Sequence, residues 1–298
     1  MEFLYLYPER YGAEGSMLDA GPVADIAAAV EAAGFDGIAF TEHPAPGAAW
    51  LDAGGHQTID PFIALGAAAA VTTRIRLLTY LCVVPYRNPL MLAKMSATLD
   101  LISGGRFVLG VGTGYLKSEF HALGVDFDER NASFDEALDV LPRHWSGEPF
   151  SYQGRHFSAR DVIARPSPER PIPIWIGGNS GLTLRRIATR ADGWIPAIVP
   201  PGTETTIRSP NLATVDELAV KISSLRELAG ERADRLEIVP PYTDPSIIKA
   251  TDDVGRHTDA FRALEAAGAT GVIISGTQVE TATQTLEFLE AFGATYLR

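Results

Sequence analysis

Eight short, near-continuous apolar runs are spaced along this chain, and each is followed by a stretch with helical signals. The runs are Phe3–Tyr7, Gly37–Thr41, Ile75–Val83, Phe107–Val111, Ile172–Ile176, Gly193–Ile198, Leu236–Val239 and Gly271–Ser275. Strands with one solvated face alternate between apolar and polar residues. Continuous apolar runs belong to strands covered on both faces, as in a parallel sheet flanked by helices. The intervening segments carry matching punctuation. Pro22 opens a helix whose apolar face is Val23, Ile26, Ala27, Val30 and Ala33, and Gly34 closes it. Asp60-Pro61 and Asn88-Pro89 each place an N-cap before a proline in the first helical position. The helix after Asn88 runs to Ile102 and stops at Ser103-Gly104-Gly105.

One helix-to-strand unit recurs near the two ends. Glu31-Ala32-Ala33-Gly34-Phe35-Asp36-Gly37 leads into Ile38-Ala39-Phe40, and Glu265-Ala266-Ala267-Gly268-Ala269-Thr270-Gly271 leads into Val272-Ile273-Ile274. Such an echo is what a βα array produces. Eight units in 298 residues leave roughly 37 residues for each, the size of a barrel repeat. The expected fold is therefore α/β, a (β/α)8 TIM barrel with insertions in the βα loops, as a single domain over 1–298. An open doubly wound sheet is the alternative. The proline-rich stretches Pro142–Pro171, Pro200–Pro210 and Pro240–Val254 are read as excursions from the βα loops, where substrate walls and lids gather.

Charge narrows the partners. With 25 Lys and Arg against 37 Asp and Glu, the net charge is −12, which speaks against a duplex-binding surface and against anionic lipid. No nucleic acid and no membrane partner is expected. Cys82 is the one cysteine, so an internal disulfide is excluded and a reducing cytoplasm is expected. The N-terminal segment lacks a basic start and meets Pro8 early. The most apolar stretch, residues 61–71, falls well short of the about 20 residues a bilayer span requires.

In a parallel barrel, chemistry gathers at the C-terminal ends of the strands. The second run ends in Thr41-Glu42-His43-Pro44, bringing an acid and an imidazole to the mouth. The third ends in Thr79-Tyr80-Leu81-Cys82-Val83-Val84-Pro85, an apolar wall with no charge, suited to a flat ring or to plain core. The fourth gives Gly110-Val111-Gly112-Thr113-Gly114-Tyr115, glycines that admit close approach to the backbone. Tyr115 stands where a dinucleotide fingerprint requires glycine. The fifth gives Ile176-Gly177-Gly178-Asn179-Ser180-Gly181 before a helix, a place for a phosphate on free N–H groups, with Ser180 or Thr183 adding a hydroxyl. A tight connection capped by Ser180 is the plainer reading. His56, His121, His144, His156 and His257 show no metal-ligand spacing, so no metal is expected. No G-x-S-x-G elbow is present. Asp126, Asp128 and Glu129 read as a solvated loop.

Together these segments resemble the luciferase-like flavin and deazaflavin oxidoreductases. The likeness is carried by Ala33-Gly34-Phe35-Asp36-Gly37 through Glu42-His43, Asp60-Pro61-Phe62, Thr73-Arg74-Ile75-Arg76-Leu77 and Arg87-Asn88-Pro89. It continues in Leu99-Asp100, Ser103-Gly104-Gly105-Arg106-Phe107, Gly110 to Gly114, Pro173 to Gly178 and Ala191-Asp192-Gly193-Trp194. The resemblance implies a (β/α)8 barrel, commonly a homodimer, holding coenzyme F420 or FMN at its mouth. It implies a non-prolyl cis peptide near Tyr80-Leu81, against which the ring leans. Glu42 and His43 match the family's acid and histidine, with His43 bonding the substrate oxygen or relaying its proton. Thr113, Gly114, Ile176, Gly177, Gly178, Asn179 and Ser180 would hold ring edge and tail, and Tyr115 would line the substrate pocket. Sugar-phosphate dehydrogenases of this family carry a catalytic glutamate where this chain has Tyr115. The implied activity is hydride transfer between F420 and a small organic substrate. The alternatives are an FMN-dependent monooxygenase fed by a separate reductase and a non-catalytic flavin-binding barrel.

Overall fold

The computed structural model describes residues 1–198, 209–210, 212–275 and 279–297. Among the described residues the sheet has ten parallel strands, of which eight make the barrel wall in turn: β1 (Glu2–Leu6), β2 (Gly37–Phe40), β3 (Arg76–Thr79), β4 (Phe107–Gly112), β5 (Ile174–Gly177), β6 (Gly193–Ile195), β7 (Glu237–Ile238) and β8 (Gly271–Ser275). Each pairs with its neighbour in sequence from β1 to β7, and β8 returns to pair with β1, Glu2 opposite Gly271. One segment closes the ring. Its first half, β7, pairs with β6, and two residues later Pro241–Tyr242 pairs with β8. The fold is the expected (β/α)8 barrel.

A helix follows each strand: α1 (Val23–Ala33), α2 (Pro61–Val71), α3 (Pro89–Ser103), α4 (Arg130–Trp145), α5 (Gly181–Arg190), α6 (Val215–Ala229), α7 (Val254–Ala267) and α8 (Ala282–Tyr296). The starts of α1, α2 and α3 are those read from the sequence. Asp60 accepts from the Ile63 N–H at 2.9 Å and Asn88 from the Leu90 N–H at 2.9 Å, satisfying amides that a helix start leaves open. None of the described helices is long and apolar enough to cross a membrane.

The core has two layers. Leu4, Leu6, Ala39, Leu78, Val108, Trp175, Ile195, Val239 and Ile273 fill the barrel interior. A larger set, including Tyr5, Ile38, Leu77, Leu109 and Ile274, packs between strands and helices. These are alternate residues of the same strands, so both faces are buried and the runs are mostly apolar, with Arg76 and Glu237 as charged exceptions at strand starts. At the N-terminal end of the barrel, Arg76 lies over the Trp175 ring and pairs with Glu2 and Glu237, which gives the closed end a polar plug.

Two expectations need correction. The run Ile75–Val83 is not one strand. It breaks at Tyr80-Leu81, joined by a cis peptide as the resemblance implied, and Cys82–Val83 then pairs anew with β4. Gly110 makes room for this turn, since a Cβ there would lie 2.0 Å from the Thr79 carbonyl oxygen. Pro142–Pro171 is not a βα excursion either. Pro142 lies within α4, and the rest, with an antiparallel hairpin of Phe150–Gln153 and Ser158–Val162, connects α4 to β5 at the barrel's other end. Proline content alone does not tell which end of a barrel a connection serves. Pro200–Pro210 lies mostly outside the described residues. Pro240–Val254 is a βα connection, as expected.

His257 on α7 is fully buried, with Nδ1 2.7 Å from the Tyr242 hydroxyl. Burial, then Arg256, holds its pKa below the ordinary 6.5. Burial lowers His56 and His144 likewise. The unfolded chain thus takes up protons that the folded chain refuses, and stability falls as pH drops below about 6.5. Urea unfolding midpoints between about pH 7 and about pH 5 are expected to decline, less so in His257→Gln. An identical decline in that variant would refute the assignment.

Candidate active site

At the C-terminal ends of the strands lies a cavity of about 240 Å³. Tyr80 and Leu81 form one wall, with Gly112, Thr113, Gly114 and Tyr115 beside them. Gly177 and Gly178 lie across from these, and Ala197, Ile198, Ser209 and Pro241 complete the lining. Tyr80 and Leu81 rest on the interior core of the barrel, so the cavity floor is the top layer of that core. Gly177 is required for this packing, because a Cβ there would stand 2.1 Å from Leu81 Cδ1.

Glu42 holds the bulge in place. Its Oε2 accepts from the Val83 N–H at 2.7 Å and its Oε1 pairs with Arg87, whose Nη1 also reaches Cys82 Sγ at 2.8 Å. Glu42 is buried, and burial pushes its carboxyl up while Arg87 pulls it back. Expected as a catalytic partner of His43, it is instead placed beneath the bulge with both oxygens engaged, away from the cavity wall.

His43 is held from three sides. Its backbone N–H donates to Thr58 Oγ1 at 2.9 Å, and the Thr58 hydroxyl returns a bond to the His43 carbonyl at 3.1 Å. Its Nδ1 lies 3.0 Å from Glu119 Oε2 and its Nε2 3.2 Å from the Tyr115 hydroxyl. Trp50 packs on the ring at 4.7 Å and His56, paired with Glu9, meets it at 5.0 Å. Glu119 and Tyr86 are the residues that sequence reasoning missed. Sequence patterns assign these residues no role; the short helix Lys117–Ala122 turns Glu119 and Phe120 inward. Tyr115 lies before this helix, so no helical spacing links it to Glu119 and no local pattern marks the acid.

The glycine turn after β5 differs in detail from the expected phosphate site. The Gly178 N–H donates to the Ile195 carbonyl at 3.2 Å and the Asn179 N–H to Ser209 Oγ at 3.0 Å. The Asn179 amide group staples the segment after β6, donating to the Ala197 and Pro210 carbonyls, each at 2.7 Å, and accepting from the Ala197 N–H at 2.9 Å. Ser180 caps α5 through the Thr183 N–H at 3.1 Å. Ile176 is buried in the outer core. The amides of Gly181 and Leu182 remain without a partner among the described residues, so the donors available to an anion lie in the first turn of α5. Of the expected cofactor residues, Tyr80, Leu81, Thr113, Gly114, Gly177 and Gly178 share the cavity with Tyr115. Ile176, Asn179 and Ser180 are not in its wall.

The sequence profile described as luciferase-like monooxygenase matches residues 1–295, and the chain belongs to that family. An F420-dependent glucose-6-phosphate dehydrogenase of Nakamurella multipartita is 34% identical over 237 residues, 77% of this chain and 66% of that one. An F420-dependent secondary alcohol dehydrogenase, solved with an F420-acetone adduct, superposes with a TM-score of 0.74 at 16% identity, covering 100% of this chain and 99% of that one. The FMN-bound oxygenating constituent of 3,6-diketocamphane monooxygenase from Pseudomonas putida superposes at 0.76, also with 16% identity, over 99% and 97%. At that identity the two structures establish the fold.

Glu42→Ala leaves the half-buried Arg87 without its carboxylate. The variant is expected to lose about 3–5 kcal/mol of stability in urea unfolding; unchanged stability would contradict the clamp.

Proposed function

We propose that the chain is an F420-dependent oxidoreductase, a single barrel domain over residues 1–298 that moves a hydride between the deazaflavin and a small organic substrate. The observation that carries this reading is the Tyr80-Leu81 shelf, seated on the barrel core and facing glycine backbone across one cavity. A flat ring needs a firm apolar wall on one side and backbone that admits close approach on the other. The space at Gly178 belongs to the cavity: a Cβ there would meet nothing closer than Thr183 Oγ1 at 3.6 Å. No charged side chain occurs among the described residues of the wall. The amides of Gly181 and Leu182, without a partner among the described residues and at the positive end of α5, suit an anionic tail.

When bound, the deazaflavin supplies two-electron hydride chemistry. Leu81 and Tyr80 orient the ring, Ala197 and Ile198 keep water from it, and His43 with Tyr115 handles the proton. F420 is preferred to FMN because the dehydrogenase named for F420 is 34% identical, against 16% for the FMN-bound structure. The family's description as luciferase-like monooxygenase supports an FMN-dependent monooxygenase as the other reading.

Titration of the protein with F420 and with FMN, followed by visible absorbance and tryptophan quenching, separates the two. F420 is expected to bind the more tightly. Tight FMN binding without F420 binding would contradict the proposal, and binding of neither would favour a barrel with another ligand. Ala197→Phe places a ring in the cavity and is expected to weaken F420 at least about tenfold, about 1.4 kcal/mol. Unchanged affinity would place the cofactor elsewhere.

A further inference from the structure

His43 does not itself line the cavity; the side chain bonded to it that does is Tyr115. The His43 side chain is 8% exposed, with both ring nitrogens engaged, and Tyr115 stands between it and the cavity. Behind His43, Glu119 is fully buried. Its Oε1 accepts from the Ala45 N–H at 3.1 Å, and its Oε2 accepts from the Tyr86 hydroxyl at 2.8 Å and faces His43 Nδ1. No lysine or arginine pairs with Glu119 among the described residues. A buried carboxyl survives desolvation only when its lone pairs are met, and here three groups meet them. With Glu119 accepting, the proton of neutral His43 sits on Nδ1, which leaves Nε2 to accept from the Tyr115 hydroxyl.

We infer that Tyr115, His43 and Glu119 form a proton relay in which the Tyr115 hydroxyl, rather than the imidazole, meets the oxygen of an alcohol or carbonyl substrate. This rests on the oxidoreductase reading above. Tyr115 is the catalytic residue; His43 and Glu119 position it and take up the charge. In alcohol oxidation, the substrate O–H gives its proton to Tyr115 Oη as Tyr115 passes its own proton to His43 Nε2. A bound oxidised deazaflavin would supply the acceptor for the carbinol hydrogen as hydride, so that the substrate C–O bond would become C=O. The imidazolium so formed keeps its Nδ1–H on Glu119. Carbonyl reduction runs the same transfers backwards. Burial, then Glu9 and Glu119, pushes the Tyr115 hydroxyl above its ordinary range, which suits a group that passes protons on rather than holding a phenolate.

The relay makes a spectroscopic statement that a merely structural role does not. In cofactor-free, 15N-histidine-labelled protein, the NMR shifts of neutral His43 are expected to report the Nδ1–H tautomer. Glu119→Gln turns an amide N–H toward Nδ1 and is expected to move the proton to Nε2, as the corresponding change does in catalytic triads. Tyr115→Phe keeps the Nδ1–H form. In F420-loaded enzyme with 2-propanol and cyclohexanol as probes, Tyr115→Phe is expected to lower kcat at least about a hundredfold while F420 affinity is unchanged. An unshifted tautomer in Glu119→Gln, a wild-type rate in Tyr115→Phe, or no turnover of either alcohol by F420-loaded wild type would each overturn the relay. Failure of the wild type to bind F420 would overturn the cofactor reading alone, because the tautomer is read without cofactor.

Discussion

The site depends on a clamp rather than on a catalytic group. Glu42, buried at the end of β2, bonds the Val83 amide and Arg87 at once, and Arg87 reaches Cys82. This fixes the chain on the far side of Tyr80-Leu81, while the Tyr80 amide donates to the Phe40 carbonyl at 2.7 Å on the near side. Between these anchors the bulge can only rest on the barrel interior, where Leu81 packs against core residues. A carboxylate buried with a guanidinium contributes little net stability over an apolar pair, but removing one partner is destabilising. Such a pair suits a place where one backbone shape must be specified.

From that shelf the rest of the site follows. β4 and β5 approach it with glycine, Gly112 and Gly177, because the space beside Leu81 leaves no room for larger side chains at Gly177 and little at Gly112. The strand-four segment then delivers Tyr115 to the cavity edge, and the short helix after it carries Glu119 behind His43. The segment after β6 is fastened over the opposite side by Asn179. Polar groups here are thus committed in pairs, and the hydroxyls of Thr113, Tyr115 and Ser209 are those the described wall presents with Tyr80.

Much of the fold was legible because both of its periodic signals are local. Strand runs covered on two faces contain few polar breaks, and Asp60-Pro61, Asn88-Pro89 and the glycine stops mark helix ends by hydrogen bonds made within a few residues. The site was legible as a place, since glycines after β4 and β5 sit where the barrel requires them. Roles were less so. Asn179 and Glu42 are polar residues beside a mouth, and their commitment to Ala197, Pro210, Val83 and Arg87 is a matter of tertiary distance. Glu119 was hidden for the converse reason: it lies in a short helix with a polar start, and its burial behind His43 is set by tertiary packing. The connection between α4 and β5 was assigned to the wrong end because proline marks irregular chain but not direction.

The proposed seat of the deazaflavin ring is the Tyr80-Leu81 shelf. A crystal structure of the protein grown with F420 would show it. Ring density is expected against Leu81, between Gly112 and Gly177, with the tail running toward the first turn of α5. Ring density anywhere else, or an empty cavity at saturating F420, would contradict it.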